Sequence, residues 1–217
     1  ERAQTWHHIP RFIESNLQRG TPANPLRSPF IVMELVEGQE VGELLAEQGA
    51  PFPEVEALTL ARQLAEMLET LHRASLTWKD VKGPPLQWNR IFWDRQSQHL
   101  MVIDWNVVGG PETLESQAPA DRLTAAELMY EAFTGIRLYR PEMIGQIHLQ
   151  TANQNFHLVP QFQRLSEPVK SFFRTALHQD LSQRHGYGRT QLDATRAFRE
   201  ALDQLTTPSG VGKRIPT

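Results

Sequence analysis

An α+β fold, mostly helical and fronted by short strands, is predicted by three observations. Two segments rich in β-branched and aromatic residues open the chain, a long stretch with apolar residues at helical period follows, and further helical patterns close it. The 217 residues, 40% of them hydrophobic, suffice to bury a substantial core. Net charge is −3 and the Lys and Arg residues are scattered, so no nucleic-acid partner is expected, because phosphate neutralisation needs clustered cations. No run approaches the roughly 18 apolar residues of a membrane span. The opening "ERAQTWHHIP" lacks the basic-then-apolar order of a secretory signal, so a cytoplasmic protein without a membrane span is expected. With no cysteine there is neither a disulfide framework nor a thiolate metal site, and the eight histidines show no H-E-x-x-H spacing.

"IPRFIESN" and "SPFIVMELVEG" read as two strands of a small sheet, separated by "LQRGTPANPLR", whose Gly and two prolines predict a loop. After Gly38 the pattern turns helical. "EVGELLAEQG" predicts a short helix closed by Gly49, and "PEVEALTLARQLAEMLETLHRA" a long one with Pro53 at its first turn. Leu60, Leu64, Met67, Leu68 and Leu71 form the expected core face of that helix. "RIFWD" and "HLMVIDW", joined by the polar "RQSQ", predict a hairpin. Beyond a Gly-Gly-Pro loop, "DRLTAAELMYEAFTG" predicts a helix with Asp121 as N-cap and Gly135 as its stop. Residues 136–166, polar and containing Pro141 and Pro160, predict a short helix among loops, and "EPVKSFFRTALHQD" and "RTQLDATRAFREALDQL" predict two more helices. The tail "SGVGKR" holds a Gly-Lys pair, but Thr207 stands where a Walker loop needs its first glycine, which leaves a flexible tail.

Between the long helix and the hairpin lies "LTWKDVKGPPLQWN", with an Asp, a Lys two places on, and an Asn beyond a Pro-Pro insert. Singly, each has an ordinary role. Asp80 suits a solvated turn or a cap, Lys82 a surface lysine, and Asn89 a turn-former. Asp104, after "LMVI", comes off the end of a buried strand, where an unpaired carboxylate is costly unless it reaches water. Met33 and Ile91 suit a core.

Taken in order, the segments resemble the eukaryotic-type protein kinase superfamily. "FIVMELVEG" is similar to the last small-lobe strand running into the hinge, and "LHRASLTWKDVK" to the end of a long helix followed by the His-Arg-Asp loop. "NRIFWD" resembles the Asn and the strand after it, and "MVIDWN" the strand entering the Asp-Phe-Gly motif. "DRLTAAELMYEAFTG" resembles the buried central helix that opens with Asp, and "FFRTALHQDLSQR" the late helix ending in a structural Arg. The resemblance implies a protein-kinase-like fold, with residues 1–37 as the end of the small lobe and hinge strand, 38–206 as the helical large lobe, and 207–217 as a flexible tail. It implies transfer of the ATP γ-phosphate to Ser/Thr hydroxyls of a protein substrate, with ATP and magnesium as cofactors. Such chemistry asks the protein chiefly for positioning and charge.

By position, Asp80 would orient and deprotonate the hydroxyl and Lys82 would sit beside the γ-phosphate. Asn89 and Asp104 would hold magnesium, a hard cation suited to amide and carboxylate oxygens. Met33 takes the gatekeeper place, the backbones of Glu34 and Val36 would face the adenine edge, Ile91 would lie beneath the base, and Glu40 would reach the ribose. Asp121 and Arg184 would brace the catalytic loop and the end of the activation segment.

The chain also departs from that pattern. Asn89 lies nine positions after Asp80 where the family has five, Trp78-Lys79 replace His-Arg, and Trp105-Asn106 replace Phe-Gly. From Asn106 to Asp121 there is room for only a short activation segment, in which "QAPA" lacks the acid of Ala-Pro-Glu. No glycine-rich loop or strand lysine precedes Trp6, and Glu1 is too close to the following strand to be a good helix glutamate. A fragment of a longer kinase-like protein is therefore expected, with a catalytically inactive pseudokinase scaffold binding a partner protein as the alternative. A small-molecule kinase of the same superfamily is the third reading.

Overall fold

Helix α2 (Glu54–Arg73) is the element on which the others are built, because its apolar residues recur often enough to cover more than one side. Leu60, Leu64, Met67, Leu68 and Leu71 are 0–1% exposed, as their spacing predicts. Ala57, Leu58, Ala61 and Ala65 widen the buried face. Pro53 stands at the N-cap with extended backbone, and the acids Glu54 and Glu56 and the bases His72 and Arg73 lie at the ends of the helix dipole that favour them. The computed structural model describes residues 7–15, 31–78, 90–103, 110–138 and 156–205.

Two small antiparallel sheets precede and flank this helix. Strands β1 (Phe12–Ser15) and β2 (Ile31–Met33) pair with an irregularity between Phe12 and Glu14, while β3 (Gln39–Glu40), β4 (Ile91–Asp94) and β5 (His99–Val102) form a three-stranded sheet in that order. The β4–β5 hairpin pairs Ile91 with Val102 and Trp93 with Leu100, burying all four side chains. The third strand, β3, is not visible in the sequence pattern. It exists because Gly38, at φ +91°, brings the chain so close to β4 that an added Cβ would lie 2.5 Å from the Trp93 carbonyl oxygen. The other edge, β5, is covered by the segment before β1: the Val102 N–H donates to the His8 carbonyl at 2.8 Å, and His8 Nδ1 lies 3.0 Å from the Leu100 carbonyl oxygen. Helix α2 grips the hairpin through Gln63, which donates to Gln98 O and accepts from Leu100 N–H.

Helix α1 (Val41–Gln48) ends at Gly49 in left-handed conformation, as expected. Helix α3 (Leu114–Thr134) likewise stops at Gly135, but it starts well before Asp121 and carries Pro119 inside. After it come α4 (Pro160–Gln163), α5 (Glu167–Ala176) and α6 (Gln191–Asp203), the last capped by the Thr190 hydroxyl, which accepts from Asp193 N–H at 3.2 Å. Phe156, Phe162 and Phe173 assemble around Tyr130, with Phe133 and Phe172 against Phe173; the Tyr130 hydroxyl donates to Phe156 O at 2.7 Å, and burial pushes its pKa up to about 12. Arg62 of α2 donates to the carbonyls of Leu202, Asp203 and Leu205, satisfying the end of α6 from another helix. Nearby, the buried Glu69 pairs with Arg73, with Arg199 at 2.7 Å and with Arg196 at 3.5 Å. The molecule is thus mostly helical with small antiparallel sheets, and no described helix is long and apolar enough to cross a membrane.

Candidate functional site

Where α2 ends, the chain must turn sharply, and it does so through Ser75 at φ +57°, after which Leu76 N–H bonds back to Leu71 O at 2.9 Å. This turn sends Thr77 and Trp78 into the interior. There the Asp121 carboxylate, 3% exposed, accepts from the Trp78 backbone N–H at 2.8 Å and lies 3.1 Å from His72 Nε2. A carboxylate can only accept, so His72 Nε2 carries its hydrogen toward Asp121. The other ring nitrogen, Nδ1, is 2.7 Å from the Thr195 hydroxyl, which also receives Arg122 Nη1 at 2.9 Å. Thr77 and Thr113 hydroxyls meet at 3.0 Å, tying the same turn to the approach of α3.

The position of Asp121 corrects the expectation that it caps α3. The helix begins at Leu114, so Asp121 lies about two turns inside it, with no helix start to serve. "QAPA", read as the remnant of a loop motif, is helical instead: the proline sits near enough to the N-terminus for surrounding packing to hold it. Asp121 bonds instead to the Trp78 N–H at the turn after α2; the loop that the family resemblance expects it to brace lies outside the described residues. His72, Thr195 and Arg122 were not singled out by sequence reasoning; the available signal was a histidine within the mostly apolar pattern of α2.

The opposite flank of the site is built by the hairpin. Ile91 is fully enclosed in β4, and Ile103 N–H bonds to Arg90 O at 2.9 Å, so pairing continues to the residue before Asp104. Trp78, Ile91 and Val102 belong to one hydrophobic cluster, which joins the turn after α2 to the hairpin. Glu40, half-buried, pairs with Phe92 across β3 and β4. Met33 and Glu34 are exposed and Val36 is half-buried; Glu34 N–H donates to Arg11 O at 2.9 Å, and its carboxylate accepts from Arg11 N–H at 3.2 Å. The structure therefore brings Ile91 and Glu40 onto adjacent strands and places Met33, Glu34 and Val36 on and just after β2. Asp80, Lys82, Asn89 and Asp104 lie outside the described residues. Among the described residues, no three His, Asp or Glu side chains converge as a metal site.

No protein-family profile matches the chain. Curated proteins match parts of it. The chain is 35% identical over 80 residues to the probable serine/threonine-protein kinase YbdM of Bacillus subtilis, a stretch covering 36% of this chain and 28% of that protein. It is 45% identical over 56 residues to the serine/threonine-protein kinase PknL of Mycobacterium tuberculosis, and 43% over 56 residues to the serine/threonine-protein kinase PKZ1 of Phytophthora infestans. Each of those two stretches covers 26% of this chain and 14% of the relative. Parts of this chain are similar to serine/threonine kinases. The matched stretches span less than a third of those proteins' lengths. Chemically, the described part of the site is a brace: Asp121 holds the backbone at Trp78, and the hairpin pairing holds it at Ile103.

Proposed function

We propose that this chain is the helical lobe of a serine/threonine protein-kinase-like domain, with residues 1–37 supplying the end of the small lobe and hinge, 38–206 the large lobe and 207–217 a tail. In this reading Asp80 accepts the proton of a protein Ser or Thr hydroxyl, Lys82 neutralises the γ-phosphate of ATP, and Asn89 and Asp104 hold magnesium. Met33, Glu34, Val36, Glu40 and Ile91 surround the adenosine. The observation that carries the reading is the Asp121 bond to the Trp78 N–H, because it anchors the backbone two residues ahead of Asp80 to a buried carboxylate. The partial similarity to serine/threonine kinases of Bacillus subtilis, Mycobacterium tuberculosis and Phytophthora infestans supports the same assignment. The nine-residue interval from Asp80 to Asn89 favours a second reading, an inactive scaffold that binds a partner protein, since it alters the distance between base and metal ligand.

Calorimetric titration with ATP, with and without magnesium, separates the two. It is run on this chain and on the longest upstream extension its gene encodes. The kinase reading expects magnesium-dependent binding by the extended form that weakens at least about tenfold in Asp104→Asn. A folded extended form that binds no ATP sinks the kinase chemistry and leaves the scaffold.

A further inference from the structure

A cavity of about 430 Å³ lies between α3, α5, α6 and the loop that joins the last two. Its wall is of two kinds. Leu123, Ala176, Leu181 and Phe198 make an apolar floor, Arg122, Arg184 and Arg189 carry the charge, and no Asp or Glu lines it among the described residues.

The arginines are held in different ways. Arg122 is fixed by bonds to Gln191 O, Gln191 Oε1 and the Thr195 hydroxyl at 3.3, 3.0 and 2.9 Å. Burial lowers its pKa to about 10, and the nearby Arg184 pushes the same way, against Asp121 and Glu115. Arg184 is oriented by its Nε–H bond to His178 O at 2.7 Å. Arg189 is exposed and makes no side-chain hydrogen bond or ion pair among the described residues. The loop "RHGYGR" puts Arg184 and Arg189 at the two ends of one tight turn. That turn depends on Gly186, at φ +72°, where an added Cβ would lie 2.4 Å from Ala194 Cα. It is therefore pressed onto α6 and presents the same wall persistently.

Three arginines line one concave surface, partly offset by Asp121 and Glu115 near Arg122 and by Glu127 near Arg184, and their planar forks match carboxylate or phosphate oxygens. The volume falls in the range of small-molecule sites, and the apolar floor offers burial that a bare inorganic ion cannot use. We propose that this cavity binds a small organic anion, with a ring-sized apolar body on the floor and a carboxylate or phosphate group between Arg122, Arg184 and Arg189. The proposal uses none of the residues assigned to phosphoryl transfer, and it stands or falls without them.

The test is a calorimetric titration of the full chain, free of ATP and magnesium, with phenyl phosphate, phenylacetate, inorganic phosphate and benzyl alcohol. One of the aromatic anions is expected to saturate a single site, and which of them binds tighter names the oxyanion. Inorganic phosphate and benzyl alcohol should each bind at least about tenfold more weakly, since each supplies half of the contacts. Arg189→Gln removes a side chain with no hydrogen-bond or ion-pair partner among the described residues, so it should stay folded by circular dichroism and lose about tenfold in affinity. The proposal is overturned if neither aromatic anion saturates, if Arg189→Gln binds as tightly as the unaltered chain, or if inorganic phosphate equals phenyl phosphate.

Discussion

One oxygen of Asp121 serves two donors, the Trp78 N–H and His72 Nε2, in a region almost closed to water. Removing it strands both donors without solvent to replace the acceptor. Asp121→Ala should therefore lower the unfolding free energy by roughly 3–5 kcal/mol, and Asp121→Asn, which keeps an acceptor oxygen, by only about 1–3 kcal/mol, both read by urea unfolding. A loss below about 1 kcal/mol for Asp121→Ala would mean that the brace is not made. A second residue-scale expectation concerns His8 and His185. Burial lowers the pKa of each from the ordinary 6.5, against the Leu100 carbonyl and Glu66 for His8, with His99 adding to the lowering, and against the Phe172 carbonyl for His185. Both rings are therefore neutral in the fold while the unfolded chain takes up protons first. Their contribution is full above the unfolded value and is lost as the pH falls below it toward the folded value. The urea midpoint should drop as the pH falls below the ordinary histidine value of 6.5, and His8→Asn, whose amide replaces the donor to Leu100 O, should flatten part of that drop. A profile unchanged in His8→Asn would assign the slope to other groups. Asp121 also shows what a residue's local setting hides. An Asp ahead of an amphipathic run is the usual mark of an N-cap, and nothing within a few residues reveals that the helix starts earlier or that Trp78 and His72 wait opposite.

Among the elements, the helices were legible because their apolar residues recur with helical period, and the hairpin because two apolar runs flank a polar turn. Strand β3 was not, since two residues carry no period, and its partner β4 lies across α1 and α2 in sequence. The joint that admits it makes a comparison possible between two positive-φ glycines. Gly38→Ala meets the Trp93 carbonyl at 2.5 Å and should cost roughly 2–4 kcal/mol, combining strain with overlap. Gly49→Ala meets nothing within 4 Å and should cost only about 1 kcal/mol, the strain of the left-handed cap alone. Thermal unfolding of the two variants reads the difference; equal costs would remove the close approach of β3 to β4 as the reason for Gly38. The site has the same mixture. Met33, Glu34 and Val36 fall on or after a strand that the pattern predicted, whereas the pairing of Glu40 with Phe92, on the strand that carries Ile91, depended on β3.

Across the whole molecule, α2 packs against α3, α6 and β5 at once, while every residue of β1 is exposed and Phe12, Ile13, Met33 and Leu35 stand well out of the core. Native-state hydrogen exchange should therefore find the α2 amides opening only with global unfolding and the β1–β2 amides at least about 2 kcal/mol less protected. Equal protection would make the small sheet part of the same cooperative unit. The sequence by itself determined the helical periods, the hairpin, the glycine stops of α1 and α3, and an order of segments that resembles a kinase large lobe, because each depends on neighbours within a turn or two along the chain. Only the tertiary structure decided that Asp121 is a brace and not a cap, that Arg62 closes the end of α6, and that three arginines and an apolar floor share one cavity. Those features join residues distant in sequence, and a side chain's local pattern says what it can bond, not which distant partner the packing brings to it.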